Sequence, residues 1–271
     1  MDITYTSAAA LSLEALADLF TRSFEGYYYP GVTTAEALAV RVRVEQIDLW
    51  SSPVLLADGE PAGITLIARR GDRTWCGGFG VVAAQRGLGL AHALTAEMVS
   101  RARSSGARRL TLEVLTRNER AIRAYQRAGL AITRRLLIMS WRPGDDWQPA
   151  DLPLVEMPPE ALLSQFAALH PAPVAWQRDL PALLVAGGRR GLSLPDPALA
   201  YALVSGDAES LRIADLGARD AEGAYALLRG LQARSRSLIS VNEPAESPLT
   251  AAFHRAGFVV ADEQHEMEIM L

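Results

Sequence analysis

Lysine is missing from this chain, and all 27 of its basic residues are arginine. Schiff-base chemistry on a lysine amine is therefore excluded, because a guanidinium keeps its proton at working pH. Cysteine is almost as scarce. The single one, Cys76, excludes an intramolecular disulfide framework and a cysteine-based zinc site. The four histidines, His92, His170, His254 and His265, form no H-x-x-x-H pattern, so no metal is expected. No stretch approaches the roughly 18 uninterrupted apolar residues of a membrane helix. The first residues carry acids at Asp2 and Glu14 where a signal peptide would be basic. Arginines come singly or in pairs such as Arg108-Arg109, and the net charge is −4. That argues against nucleic-acid binding through a broadly basic surface. What remains is a cytoplasmic protein of ordinary globular composition, long enough for one large domain or two small ones.

The pattern of apolar residues divides the chain. Leu13, Leu16, Leu19, Phe20 and Phe24 mark a helix over about 11–25, followed by the aromatic run Tyr27-Tyr28-Tyr29 and a break at Pro30-Gly31. A second helix is expected over 34–47. Val54–Ala57 and Gly63–Ala68 flank the turn Asp58-Gly59 and read as a hairpin. Trp75–Ala83 is a further strand, and 89–105 a helix stopped by Gly106. Arg109–Leu115 alternates, with Leu110, Leu112 and Val114 on one face and Thr111 and Glu113 on the other. Asn118 can cap a helix that ends at Gly129, and Leu136–Trp141 is a strand. Five prolines between 143 and 160 read as a linker.

Between a strand and a helix stands Gln85-Arg86-Gly87-Leu88-Gly89-Leu90-Ala91. Glycines there permit a sharp turn with successive N–H groups pointing inward, and a helix N-terminus behind them favours an anion. The spacing is not G-x-G-x-x-G, which disfavours a dinucleotide fingerprint. Together with Glu113, Asn118, Tyr125 and the Gly129 stop, this order of elements resembles the GNAT acetyltransferase superfamily over residues 1–142, most specifically over 79–130. The resemblance implies that Arg86, Gly87, Leu88, Gly89, Leu90 and Ala91 bind the pyrophosphate of acetyl-CoA. It implies that Gly80, Val81 and Val82 line the pantetheine arm, that Asn118 touches the cofactor arm, and that Tyr125 protonates the departing thiolate. Glu113, twelve residues before Tyr125, resembles the base of the acid/base pair in ribosomal-protein N-terminal acetyltransferases. A water chain or Glu25 remains open for that role. Phe24, Tyr27, Tyr28 and Tyr29 fall where the family builds its acceptor wall. Each residue also has a plainer reading: core aromatic for Tyr125, helix cap for Asn118, strand glutamate for Glu113, and loop packing for the aromatic run. Cys76 reads as a small buried strand residue rather than a nucleophile.

The second half reads as a worn copy of the first. Arg127-Ala128-Gly129-Leu130 recurs 128 residues later as Arg255-Ala256-Gly257-Phe258, and Leu110 recurs as Leu238. Aligning Gly78–Val82 with Arg212–Leu216 needs an offset of 134 in between, and residues 83–90 then face only Gly217 and Ala218. At the outer offset Tyr125 becomes Phe253 and Asn118 becomes Glu246. The expected fold is α/β (α+β): two GNAT-like domains, each a mixed, mostly antiparallel sheet flanked by helices. The catalytic domain is expected at 1–142, the linker at 143–160 and a degenerate copy at 161–271, the chain acting as a monomer or homodimer. The expected activity is acetyl transfer from acetyl-CoA to a primary amine, on a small molecule or peptide, in a ternary complex. The alternative is a non-catalytic acyl-CoA-binding sensor.

Overall fold

A computed structural model describes residues 1–29, 31–149 and 152–271. The break expected at Pro30, and positions 150 and 151 of the linker stretch, lie outside the described residues. By contacts the chain forms two compact units, Met1–Thr133 together with Glu266–Leu271, and Arg134–His265.

In the first unit, β1 (Ile3–Ser7) is followed by α1 (Leu13–Ser23), α2 (Ala35–Glu45), β2 (Pro53–Ala57), β3 (Glu60–Arg70) and β4 (Arg73–Val81). Next come α3 (Leu90–Ser104), β5 (Arg109–Leu115), α4 (Glu119–Arg127) and the first residues of β6 (Ala131–Trp141). Local chemistry sets many of these ends. Ser12 and Thr34 cap α1 and α2 through their hydroxyls. Asp58 and Gly59, both at positive φ, turn the β2–β3 hairpin. Gly106 and Gly129, at φ 75° and 95°, follow α3 and α4 as helix stops. Strand β1 and the early start of β6 at Ala131 were not expected from the alternation.

The sheet runs β1-β2-β3-β4-β5, and beside β5 lie the chain's last residues, 266–271. Leu271 N–H donates to the Arg108 carbonyl at 2.9 Å, and Met267 is buried with Leu110 and Leu112. All pairs are antiparallel from β1 to β4, whereas β4 and β5 are parallel. Helices cover both faces. Leu66 of β3 points with Gly78 toward Phe20 of α1, while its neighbour Ile67 packs with Met98 and Val99 of α3.

The second unit repeats the plan. It comprises the rest of β6, then β7 (Val155–Met157), α5 (Pro159–Leu163), α6 (Phe166–Leu169), α7 (Leu180–Val185), β8 (Arg190–Ser193), β9 (Ala200–Gly206) and β10 (Leu211–Ala218). It continues with α8 (Ala221–Gln232), β11 (Leu238–Pro244), α9 (Thr250–Arg255) and most of β12 (Val259–Met270). Its sheet order is β6-β11-β10-β9-β8-β7, so part of the proline-rich stretch pairs as a strand with β8. Only β10 and β11 pair in parallel.

A charge network lies buried in this unit. Arg178, from the short turn Trp176–Arg178, ion-pairs with Glu243 of β11 and sits 3.7 Å from Asp215 of β10. Asp215 also accepts from Tyr201 and meets His170 Nε2, each at 3.0 Å. Burial alone would raise the Asp215 carboxyl, but His170, Arg178 and Tyr201 hold it below its usual value. Burial alone would lower the His170 pKa, yet Asp215 and the Phe166 carbonyl raise it by favouring the protonated ring. The Asp215 contribution to stability is thus present above the ordinary carboxylate pKa and lost as pH falls through the lowered value. Arg178→Met strands two carboxylates in the core, and urea unfolding at pH 7 should show a loss of about 3–5 kcal/mol. Repeating the measurement near pH 5 should show a smaller loss, because the orphaned carboxylates can then take up protons.

Candidate active site

The first unit opens where β4 carries one residue too many. Gly78 pairs with Leu66 and Cys76 with Ile67, so Gly77 is a bulge with no partner in β3. The parallel ladder to β5 ends at the same place, covering Arg73–Cys76 against Arg109–Leu112. Among the described residues, β4 from Gly77 to Val81 has no ladder partner in β5. The strands therefore part, and along that side Gly78–Val81 lacks a ladder partner, the Gly78 and Val81 carbonyls meeting the Cys76 thiol and the Arg86 side chain instead. The same segment must lie close to α1. A Cβ on Gly80 would stand 2.7 Å from Ser23 Cβ and 2.9 Å from its carbonyl oxygen, and one on Gly78 would stand 2.6 Å from Phe20.

Beyond β4, a short turn over Ala83–Gln85 leads to Arg86 and then to Gly87 and Gly89, at φ 87° and 83°. Only glycine occupies that region freely, which explains both positions. A Cβ on either would meet nothing within 4 Å, so the turn is open to solvent. Gly89 caps α3 without a side-chain bond. Among the described residues, the N–H groups from Gly87 to Ala91 have no backbone acceptor. The Arg86 side chain is committed inward: Nε donates to the Val81 carbonyl at 2.9 Å and Nη2 to the Ser23 carbonyl at 3.0 Å. Its role in this geometry is to tie the turn to β4 and α1.

Glu113 is the first residue of β5 past the ladder, on the α1 and α2 face, and its Oε2 accepts from Trp75 Nε1 at 2.7 Å. Tyr125 lies on the opposite face, buried with Leu112, Val114 and Ile122, its ring edge-on to Phe79 with centroids 5.5 Å apart. Burial raises its phenol well above the usual pKa, with the nearby Cys76 and Tyr27 adding to the effect. Asn118 performs its capping role, accepting from Ala121 N–H at 3.2 Å. Burial also pushes the Cys76 thiol up to about 12, which leaves it a packing residue.

The aromatic run forms one chain of ring contacts. Phe20 stacks on Phe24 at 4.5 Å, Phe24 meets Tyr27 at 5.3 Å, and Tyr27 meets Tyr28 at 5.3 Å. The Tyr28 hydroxyl donates to the Arg117 carbonyl at 3.2 Å, and the Arg117 guanidinium lies 4.6 Å from the Tyr28 ring and 5.7 Å from that of Tyr29. The α1–α2 connection is therefore joined to the β5–α4 connection, beside Asn118. Neither Arg117 nor Arg41, which grips the bulge from α2, was singled out in the sequence. Both are one arginine among many, and nothing local marks them.

The second unit keeps the frame without these parts. Ala214 is the bulge of β10, and the β10–β11 ladder stops at Ile213 against Ser240. Gly77 thus corresponds to Ala214, an offset of 137, and the offset of 134 read from the sequence is corrected by three residues. Gly80 then falls on Gly217. Helix α8 begins almost at once, capped by Asp220, whose carboxylate accepts from Gly223 N–H at 2.9 Å. An acid already fills the place where an anion would sit.

Residues 13–130 match the model of the acetyltransferase (GNAT) family. No curated protein sequence matches the chain. Among solved structures, a GCN5-related N-acetyltransferase from Sphaerobacter thermophilus is similar over 99% of this chain and 95% of its own, with TM-score 0.69 and 18% identity. A tandem GNAT protein from the clavulanic acid biosynthesis pathway is similar over 99% and 98%, with TM-score 0.65 and 15% identity. A GCN5-related N-acetyltransferase from Anabaena variabilis is similar over 99% and 73%, with TM-score 0.66 and 16% identity. These likenesses extend over both units and establish the repeated fold.

The glycines of this site separate by mechanism. Gly89→Ala should cost roughly 1 kcal/mol in urea unfolding, from its positive φ alone. Gly80→Ala, which must push the α1 backbone away, should cost more, about 1–3 kcal/mol.

Proposed function

We propose, from the match of residues 13–130 to the acetyltransferase (GNAT) family, that the N-terminal unit transfers an acetyl group from acetyl-CoA to a primary amine by direct attack. The observation that carries this reading is the conjunction of two gaps: strands that part at Gly77, and a turn of unfilled N–H groups just beyond them. In this reading Gly80, Val81 and Val82 line an extended pantetheine arm. Gly87, Leu88, Gly89, Leu90 and Ala91 direct N–H groups and the positive end of α3 at a pyrophosphate. Arg86 holds that turn in shape, and Asn118 fixes the start of α4 beside the arm.

The chemistry needs a base for an ammonium and an acid for a thiolate. Glu113 stands at the vertex of the split, oriented by the Trp75 indole, and takes the proton from the incoming amine. Tyr125, on the other face, keeps its proton at neutral pH and donates it to the departing sulfur. The amine nitrogen bonds to the carbonyl carbon and the carbon–sulfur bond then breaks, so the proton lost at nitrogen and the proton gained at sulfur each have a residue to carry them. Phe24, Tyr27, Tyr28 and Tyr29 wall the acceptor's approach with aromatic surface. The second unit binds no acyl-CoA and supports the first as a degenerate copy. No helix among the described residues is long and apolar enough to cross a membrane. We place the enzyme in the cytoplasm, as a monomer or homodimer, with the catalytic domain in Met1–Thr133 completed by Glu266–Leu271 and the degenerate domain in Arg134–His265. The stretch 143–160, expected as a linker, thus contributes a strand and a helix start to the second domain.

Calorimetry with CoA should give one site per chain, and two equivalent sites would contradict the assignment of the second unit. In a thiol-release assay with a panel of amines, Tyr125→Phe should lower kcat by roughly 10²-fold while leaving CoA affinity nearly unchanged. Glu113→Gln should produce a loss that narrows as pH rises and free amine becomes available. A loss of equal size at every pH would remove Glu113 from the role of base. CoA binding without thiol release from any amine would leave a sensor in place of an enzyme.

A further inference from the structure

We infer that Arg41 is a positioning residue for acyl-CoA: by holding the carbonyl of the bulged Gly77, it fixes where β4 leaves β5. The inference rests on the proposed reading of the cleft. A bulge leaves one residue outside the ladder, and here that residue sits at the vertex of the split. Its carbonyl accepts from Arg41 Nη2, reaching over from α2. The guanidinium is itself immobilised. Its Nε donates to Glu45 Oε2 one helical turn away, at 2.8 Å, and its plane lies 5.2 Å from the Phe20 ring. Phe20 in turn covers Gly78, the next residue of β4. Two helices therefore bear on the two residues at which the strand changes course.

The second unit shows what an arginine at this point of the frame does when it reaches further. Arg178 touches both Asp215, just past the bulge of β10, and Glu243, past the end of the ladder on β11. Its charge spans the two strands, at the wall of a small cavity lined also by Leu216 and Pro244. Arg41 bonds the β4 side at Gly77, which secures the bulge without crossing to β5. At the bend an arginine is thus a strut on one strand in the first unit and a bridge between two strands in the second. Without the strut, the free carbonyl and the extra residue can shift along β4, and the backbone groups of Gly78–Val81 lose their alignment toward the cofactor arm.

The test is calorimetry of the full chain with CoA itself, paired with thermal melting. Arg41→Met should weaken CoA by about tenfold, the worth of one charge-assisted hydrogen bond. KM for acetyl-CoA should rise with it while kcat at saturation stays close to wild type. Arg41→Lys, which keeps one donor, should fall between. Leu228→Ala in the core of the second unit lowers the melting temperature without touching the split, and should leave CoA affinity as it was. Unchanged affinity in Arg41→Met overturns the inference, and so does an equal loss in Leu228→Ala, which would make the effect one of general stability. If Arg41→Met does not fold, Arg41→Ala decides: wild-type affinity there overturns the inference. Failure of the wild-type chain to bind CoA is a different result, and it removes the reading of the cleft as well.

Discussion

The arrangement of the first unit depends on one extra residue in β4. A ladder of hydrogen bonds cannot absorb an unpaired residue without bending, and at Gly77 the strand turns away from β5. Everything of chemical interest is placed by that bend. Glu113 stands at its vertex, Gly78 and Gly80 let α1 close over the departing strand, and the turn at Gly87–Gly89 continues from its far end. The bend is stable because its polar remainder is satisfied: the carbonyl left over is bonded by a guanidinium that is already paired and packed.

The second unit is instructive because it retains the bend and places a buried arginine in it. Ala214 is bulged, and the ladder stops at the corresponding step. A buried arginine between two carboxylates then replaces solvent-accessible backbone, and Asp220 bonds the first turn of α8 itself. Such a network is costly to desolvate and strongly destabilising to break. Once formed, it fixes the second unit in a closed arrangement. The two units thus differ in what stands at the split rather than in fold.

Much of this was legible in the sequence because it is local. Alternation gave β5 its bounds, Arg109–Leu115, and the glycines at 106 and 129 gave the helix ends. The strand–turn–helix order around Arg86–Ala91 pointed to the anion cradle. Features that depend on register were not legible. A bulge has no sequence signature when the residue is one glycine in Gly77-Gly78-Phe79-Gly80, so the repeat was aligned three residues out. Strand β1 is short and half-exposed, with little alternation to betray it. Val155–Met157 is a strand only because β8 supplies a partner. Arg41 and Arg178 act through contacts 36 and 65 residues away in sequence, and no pattern within their own helix or turn announces them.

The sixth strand segment of the first sheet comes from residues 266–271, more than a hundred positions after the rest of that unit. Met267 then fills the core beside Leu110 and Leu112. This has a consequence for the order of events during synthesis. Chains emerge at about 5–20 residues per second, and N-terminal domains ordinarily fold as they appear. Here the first unit cannot bury its last core residue until the whole second unit has been translated. Until then, the exposed edge of β5 is a surface that must be kept from the wrong partner. Completion of the first unit is thereby timed by the arrival of the second.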